Sequence, residues 1–231
     1  MKIDMHTHCK PASLCAHHQP EQLPEMFKSK GVDAIVLTNH CYPSHCNSLG
    51  NSLQEQAKAY VDIYSRCKLS GEKIGVKVFF GVELKLINEP KHPEFLLYGI
   101  SEYDFLKSFP LWEITQKELF DFCNTKDIIM VQAHPYRTEQ GYAPCDMKYV
   151  HGIEIYNPHL LFDSRFDDTL KLATDNAKIK TAGSDFHIEK QAGLAGMVVP
   201  DSIENQFMLR DFLKQNKCVI FGQKSIIYSE G

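Results

Sequence analysis

Nothing in this chain approaches the roughly 18 consecutive apolar residues of a membrane-spanning helix. No segment is of low complexity, repeated in tandem or composed like a linker. Charge of one sign never runs long either. The net charge of −4 is spread along 231 residues, so neither a membrane surface nor nucleic acid is required as a partner. Nucleic acid stays open, because a local pocket can be basic on an acidic protein. No two of the eight cysteines make a CxxC pair, and a chain this long needs no disulfide staples. Free thiols in a reducing cytoplasm are therefore expected. Lys2 and Asp4 stand beside His6 and His8 with no apolar stretch suited to a signal peptide. Hydrophobic residues make up 43%, enough for a real core, and one α/β domain over residues 1–231 is expected. The sequence does not reveal an oligomeric state.

What the chain does have is five short β-like runs that each end in His, Asp or Glu. They are Ile3–Asp4–Met5–His6–Thr7–His8, residues 34–40 closing on His40, Val78–Phe79–Phe80–Gly81–Val82–Glu83, residues 128–134 closing on His134, and residues 180–187 closing on Asp185–Phe186–His187. Strands ending this way deliver their C-terminal ends to one mouth, where α/β barrels place their chemistry. Further strands are expected at residues 76–87, 95–100, 153–156 and 218–221, with helices at 20–28, 51–69, 115–123, 162–177 and 203–214. Thr115 and Glu118 form a candidate capping box. Broad β–α alternation with ligands from early and late strands favours an open or distorted barrel of about seven strands over a doubly wound sheet.

The donors are imidazole and carboxylate, which suit Zn²⁺, Mn²⁺ or Fe²⁺. His6 and His8, two apart on a strand, project to one face and can reach one cation. The competing reading is a strand end whose rings only hydrogen-bond. Asp185 and His187 repeat the spacing after the small residues Gly183 and Ser184. Glu83 follows an apolar run and needs a partner if buried; a metal pair supplies one, and Lys85, two residues on, is the alternative. Pro135 stops the sheet just after His134. Arg137 is near enough to offer its fork of donors to a phosphate, with Lys10 a weaker second candidate. His17 and His18 lie in a loop that can close over the site. Cys15, Cys41 and Cys46 lie near candidate ligands, although buried structural cysteine is the commoner case. His45, His92, His151 and His159 lack a preceding apolar run and read as surface or loop residues.

Taken in order, these pieces resemble the PHP (polymerase and histidinol phosphatase) family of metal-dependent phosphoesterases. The matching segments are Asp4–Met5–His6–Thr7–His8, residues 31–40, Gly81–Val82–Glu83, Ala133–His134–Pro135, residues 152–157 and Gly183–Ser184–Asp185–Phe186–His187. The resemblance implies a distorted (β/α)7 barrel with two or three divalent ions, Zn, Mn or Fe, at the C-terminal ends of the strands. It implies His6, His8, Glu83 and Asp185 around a first ion, with Glu83 bridging to a second beside His134. His40, His187 and a loop histidine, His17 by its surroundings, would hold a third. Three departures stand out. Asn39 replaces the acid of a Thr-Asp-His motif, the loop histidine arrives about three residues late, and Phe95 stands near the place of a further histidine.

The expected activity is hydrolysis of a phosphate monoester by a hydroxide bridging two cations about 3.5–4 Å apart. Histidinol phosphate, a nucleotide or another small phosphorylated metabolite would be the substrate. An amidohydrolase also begins with His-x-His, but usually bridges its ions with a modified lysine and ends with a lone aspartate. A non-catalytic metal-binding interaction module is the third reading, against which the nearly complete ligand set stands.

Overall fold

The computed structural model describes residues 1–158, 164–222 and 225–230. Among them one sheet of eleven strands runs through the molecule. Its strands are β1 (Lys2–Thr7), β2 (Ala34–Leu37), β3 (His40–Cys41), β4 (Lys77–Lys85), β5 (Glu94–Tyr98), β6 (Ile129–Gln132), β7 (Gly152–Tyr156), β8 (Ile179–Ala182), β9 (Ala195–Val198), β10 (Cys218–Gly222) and β11 (Ile226–Glu230). The helices are α1 (Leu23–Lys28), α2 (Pro43–Cys46), α3 (Leu53–Ile74), α4 (Glu102–Ser108), α5 (Gln116–Lys126), α6 (Phe166–Asp175) and α7 (Gln206–Leu213). The sheet order is β11-β10-β9-β1-β2-β4-β5-β6-β7-β8, with β3 alongside β4. Strands β1, β2 and β4 are parallel, as are β6, β7 and β8. The sheet curls until the segment after β8 meets β1 through a parallel bridge between Thr7 and Phe186.

Regular β–α alternation fails at several places, and the one between β4 and β5 reverses a strand inside the curled sheet. Strand β5 runs antiparallel to both neighbours, because only residues 86–93 join it to β4, too few for the dozen or more of a parallel crossover. Its first residue therefore lies on the same side as its neighbours' ends. Strands β9 and β11, which the sequence did not signal, extend the sheet beyond β1 as an antiparallel margin.

Helix boundaries follow local chemistry. Ser52 and Glu55 cap α3 reciprocally, and Gly75 ends it in the left-handed region at φ 78°. The helix runs past the expected stop at Gly71, whose missing Cβ lets Val76 and Val78 lie close against it. The Thr115–Glu118 capping box forms as expected. Residues 20–28 divide into a 3₁₀ turn, Pro20–Gln22, and α1. The helix expected at 162–177 starts at Phe166; residues 162 and 163, with His159, lie outside the described residues. Tyr60 and Tyr64 of α3 pack on Phe80 of β4, with ring centroids 6.2 and 5.0 Å apart. Tyr98 spans the interior to donate to the Met5 carbonyl at 3.0 Å.

Candidate metal centre

Strands β1, β3 and β4 and the segments that follow β1, β6 and β8 bring the donors together. His6 and His8 come from β1 and the residue beyond it, His40 from β3, Glu83 from β4, His134 from just after β6, and Asp185 and His187 from just after β8. All but His187 are buried. Glu83 lies among four histidines. Its Oε1 is 3.1 Å from His6 Nε2 and 3.2 Å from His134 Nε2, and its Oε2 is 2.5 Å from His40 Nδ1 and 3.5 Å from His8 Nε2. Asp185 Oδ1 is 3.2 Å from His8 Nε2 and 3.4 Å from His6 Nε2. Lys85 turns away from Glu83 to Glu94 Oε1, at 3.1 Å, so it is not the partner of Glu83.

Backbone geometry at the site is specialised. Gly183 passes so close to β1 that a Cβ there would lie 2.6 Å from the His6 backbone nitrogen. His134 and Asp185 adopt positive φ, 27° and 52°, a costly choice for residues with a Cβ and one that clusters at functional sites. Asp4 binds the His6 and Ser184 amides through Oδ1 at 3.1 and 3.0 Å, tying β1 to the segment that carries Asp185. Burial pushes the Asp4 carboxyl up to about 7, against the opposing hydrogen bonds of Ser184 and His6.

Outer contacts point the ring nitrogens inward. His6 Nδ1 lies 2.9 Å from Glu154 Oε1, an acceptor only when ionised, so this nitrogen donates. His8 Nδ1 is 3.1 Å from Ser13 Oγ, which donates its own proton to Asn39 Oδ1 at 3.1 Å and so accepts from His8. His187 Nδ1 donates to the Asp185 carbonyl at 2.8 Å. In neutral rings each Nε2 then carries a lone pair. Those of His6 and His8 face carboxylate oxygens. His6 Nε2, His8 Nε2, His40 Nδ1, Glu83 Oε2 and Asp185 Oδ1 are all buried without a hydrogen-bond partner. Acceptors crowded against acceptors call for cations between them, and the imidazole and carboxylate donors fit divalent metal ions.

Without cations in place, the charges of the cluster act strongly on one another. Burial opposes charge on His6, yet Glu154, Asp185 and Glu83 outweigh it and hold the ring well above its ordinary value. For His8, burial together with His40 and His187 pushes the value well below. Burial works against ionised Glu83 and Asp185, but His6 and His40 for the former, and His6 and Arg137 for the latter, hold both well below the usual carboxylate range.

Other expected residues fall differently. The His17 side chain is exposed, and only its backbone N–H reaches the site, donating to the His187 carbonyl at 2.9 Å. From the same loop it is Cys15 that lines the cavity. His18 is half-buried, its ring 5.9 Å from that of Phe186. Lys10 is half-buried and outside the cavity lining. Arg137 is buried and lines the cavity of about 470 Å³ over the cluster. Its guanidinium donates to Asp185 Oδ2 and Asn157 Oδ1, both at 2.8 Å. Asn39 Oδ1 accepts from Cys9 N at 2.7 Å and from Ser13 Oγ, so the residue replacing the acid orients His8 through Ser13. His45, expected at the surface, is buried beside His40, with ring centroids 4.6 Å apart.

Two carboxylates escaped the sequence reading. Glu154, buried in β7, receives His6 Nδ1 and, through Oε2, the His134 N–H at 3.0 Å and the Asn157 amide at 2.8 Å. Glu94 opens β5 and lines the cavity, with Oε2 3.4 Å from His134 Nε2. It stands next to Phe95, where the resemblance lacked a histidine.

The sequence matches the PHP domain over residues 4–173. The chain belongs to the PHP domain family. No curated protein matches it. Among solved structures, this PHP domain is similar to a two-domain protein of Bacteroides vulgatus containing a predicted PHP-like metal-dependent phosphoesterase. The TM-score is 0.69 at 19% identity, over 98% of this chain and 66% of that one. It is similar to PsfC of Pseudomonas syringae, with TM-score 0.64 and 18% identity over 99% and 91% of the two chains. A third likeness is to the lesion-specific endonuclease Q of Pyrococcus furiosus, with TM-score 0.62 and 17% identity over 93% of this chain and 56% of that one. At these identities the likeness is one of fold.

If cations fill the cluster, chelation removes a ligand that binds only the folded state. Ions present at a hundredfold their Kd contribute about 2.7 kcal/mol, so chelator should lower Tm by about 5–10 °C at this chain length. Thermal melts with and without chelator, beside metal analysis, check this. A Tm indifferent to chelator in protein that carries metal would place the ions elsewhere.

Proposed function

We propose that this PHP domain, over residues 1–231, is a metal-dependent phosphoesterase acting on a small phosphate monoester. The observation that supports this most is the set of buried, unpartnered nitrogens and oxygens facing one another around Glu83 and Asp185. His6, His8, Glu83 and Asp185 would hold one ion. Glu83 and His134 would hold a second, with Glu94 at hand, and His40 and His187 a third. Such ions, Zn²⁺, Mn²⁺ or Fe²⁺, supply a lowered water pKa and Lewis-acid neutralisation of charge at phosphorus. The curled sheet reads, in finer detail, as a distorted barrel of β1, β2 and β4 to β8 closed at the Thr7–Phe186 bridge. The cavity has the volume of a small-ligand site. Eight free thiols accord with a cytoplasmic protein, and no described helix is long and apolar enough to cross a membrane.

Arg137 has a double task in this reading. Two of its N–H groups hold Asp185 and Asn157, and the remaining donors of its five are free to grip a phosphoryl oxygen entering the cavity. Burial disfavours its charge, but Asp185 more than compensates and raises its pKa, so the group stays cationic.

The test is turnover of p-nitrophenyl phosphate and of a matched p-nitroanilide by metal-loaded protein, with parallel metal analysis. Phosphate release that is lost with chelator and restored by Mn²⁺ or Zn²⁺ is expected. Cleavage of the anilide alone would replace this reading with an amidohydrolase, and bound metal without turnover of either would make the domain a binding module. Within the phosphatase assay, Arg137→Lys keeps the charge and loses the fork. A fall in kcat/KM of roughly ten- to a hundredfold is expected, about 1.4–2.7 kcal/mol, with ion content retained. Ion loss parallel to the loss of rate would mean that Arg137 acts only through Asp185.

A further inference from the structure

The loop over residues 9–18 crosses the outer edge of the cluster and is fixed by its own backbone. Lys10 N donates to the His18 carbonyl at 2.8 Å, Ser13 N to Cys9 at 2.9 Å, and Ala16 N to Ser13 at 3.0 Å. Because the His17 N–H is bound to the His187 carbonyl, the chain presents Cys15 to the cavity and His17 to solvent. The Cys15 sulfur lies within 4.8 Å of a nitrogen of His40 and of His45, and Cys15, His40 and His187 line the same cavity.

The tautomers decide which imidazoles belong with that sulfur. His45 Nδ1 accepts the Leu14 N–H at 2.9 Å, so a neutral His45 carries its proton on Nε2 and has no free lone pair for a metal. His187 is the opposite case, since its Nδ1–H is given to the Asp185 carbonyl and its Nε2 lone pair is free. That lone pair lies 3.4 Å from His40 Nε2. No neutral form of His40 satisfies both sides, so the ring needs either a second proton, which Glu83 favours against burial, or a cation. With the proton on Nε2, an unprotonated Nδ1 sits 2.5 Å from Glu83 Oε2; with the proton on Nδ1, two Nε2 lone pairs face each other. His40 Nδ1 is in either case buried and without a hydrogen bond.

We propose that Cys15, His40 and His187 form a thiolate–imidazole position for a soft divalent ion at the outer edge of the cluster, with Zn²⁺ preferred there over Mn²⁺. This rests on the phosphoesterase reading for the presence of the inner ions and adds to it a sulfur ligand. On binding, the thiol proton leaves to solvent as the sulfur–metal bond forms, and nothing is oxidised or reduced. Thiolate is a soft donor that selects Zn²⁺ over hard, oxygen-seeking cations, so this position differs from the carboxylate-rich pair around Glu83.

Cobalt(II) is the probe. Chelator-treated protein reloaded with Co²⁺ is expected to show a thiolate-to-metal charge-transfer band in the near ultraviolet. The band should disappear in Cys15→Ser and persist in His45→Gln. Cys15→Ser should also weaken binding of one Zn²⁺ equivalent by about tenfold or more, while Mn²⁺ binding moves much less. Bound Zn²⁺ should slow maleimide labelling of Cys15, read by peptide mass mapping; of the other cysteines only Cys145 is even partly exposed. Co²⁺ bound without the band, or a band that survives Cys15→Ser, would overturn the sulfur ligand and leave the phosphoesterase reading standing. Failure to bind Co²⁺ or Zn²⁺ at all would overturn both.

Discussion

Glu83→Gln is expected to lower kcat/KM on a phosphomonoester by roughly a thousandfold, about 4 kcal/mol of transition-state stabilisation. It should also cost the protein at least one ion. The reason is the number of nitrogens this carboxylate serves. Oε1 lies between His6 and His134, and Oε2 between His8 and His40. Glutamine keeps the volume, so packing around Val82 and Leu84 stays as it is. It removes one negative charge and turns one oxygen into an N–H donor aimed at groups that themselves need a cation. Circular dichroism should report an unchanged fold, and elemental analysis the missing ion. Full turnover with full ion content would show that Glu83 holds its histidines by hydrogen bonds and bridges nothing.

The second large effect is expected from removing His6 and His8 together. Alanine at both positions should abolish metal-dependent turnover to at least a thousandfold below the parent, in line with loss of metal-ion catalysis, and leave the inner ions without two imidazoles. Stability pays part of the cost. His6 is the partner of Glu154, at 2.9 Å, and the pair is fully buried. Deleting one member of such a pair costs about 3–5 kcal/mol, so Tm should drop although the sheet still forms. The Asn pair, His6→Asn with His8→Asn, separates lost ligands from lost packing: both variants should be inactive, and the Asn form should melt higher. Retention of all metal in either variant would remove these histidines from the site.

Seven donors were legible because each ends or follows an apolar run whose strand ends on the same side of a curled sheet: His6, His8, His40, Glu83, His134, Asp185 and His187. The PHP resemblance rested on that order, and the domain match over residues 4–173 bears the family out. Glu94 was not legible by the same rule because it begins its run, and the reversed direction of β5 is what carries it to the mouth. Glu154 lies in residues 152–157, a segment that carried the resemblance without a role for its acid, and its local signal is a carboxylate flanked by two buried isoleucines. The loop after β1 has no periodicity to read. Which of its side chains faces inward depends on the backbone bond from His17 to His187, a contact across 170 residues. Strands β9 and β11 are short antiparallel additions that form against β1 and β10, so their pairing is tertiary in origin.

The seam between β1 and the segment after β8 has a kinetic consequence. The His8 N–H binds the Phe186 carbonyl at 3.0 Å, the Phe186 N–H binds the His6 carbonyl at 3.2 Å, and Asp4 reaches Ser184 across a separation of 180 residues. Contacts so distant along the chain close a loop of most of the domain and are expected to form after the local pairings. The cluster's donors sit on both sides of that seam, so a nascent chain has no complete site until nearly all of it has been made. Any ion held by the whole cluster would therefore be taken up only after the seam closes, and the amide hydrogens of His8 and Phe186 would report that closure by slow exchange.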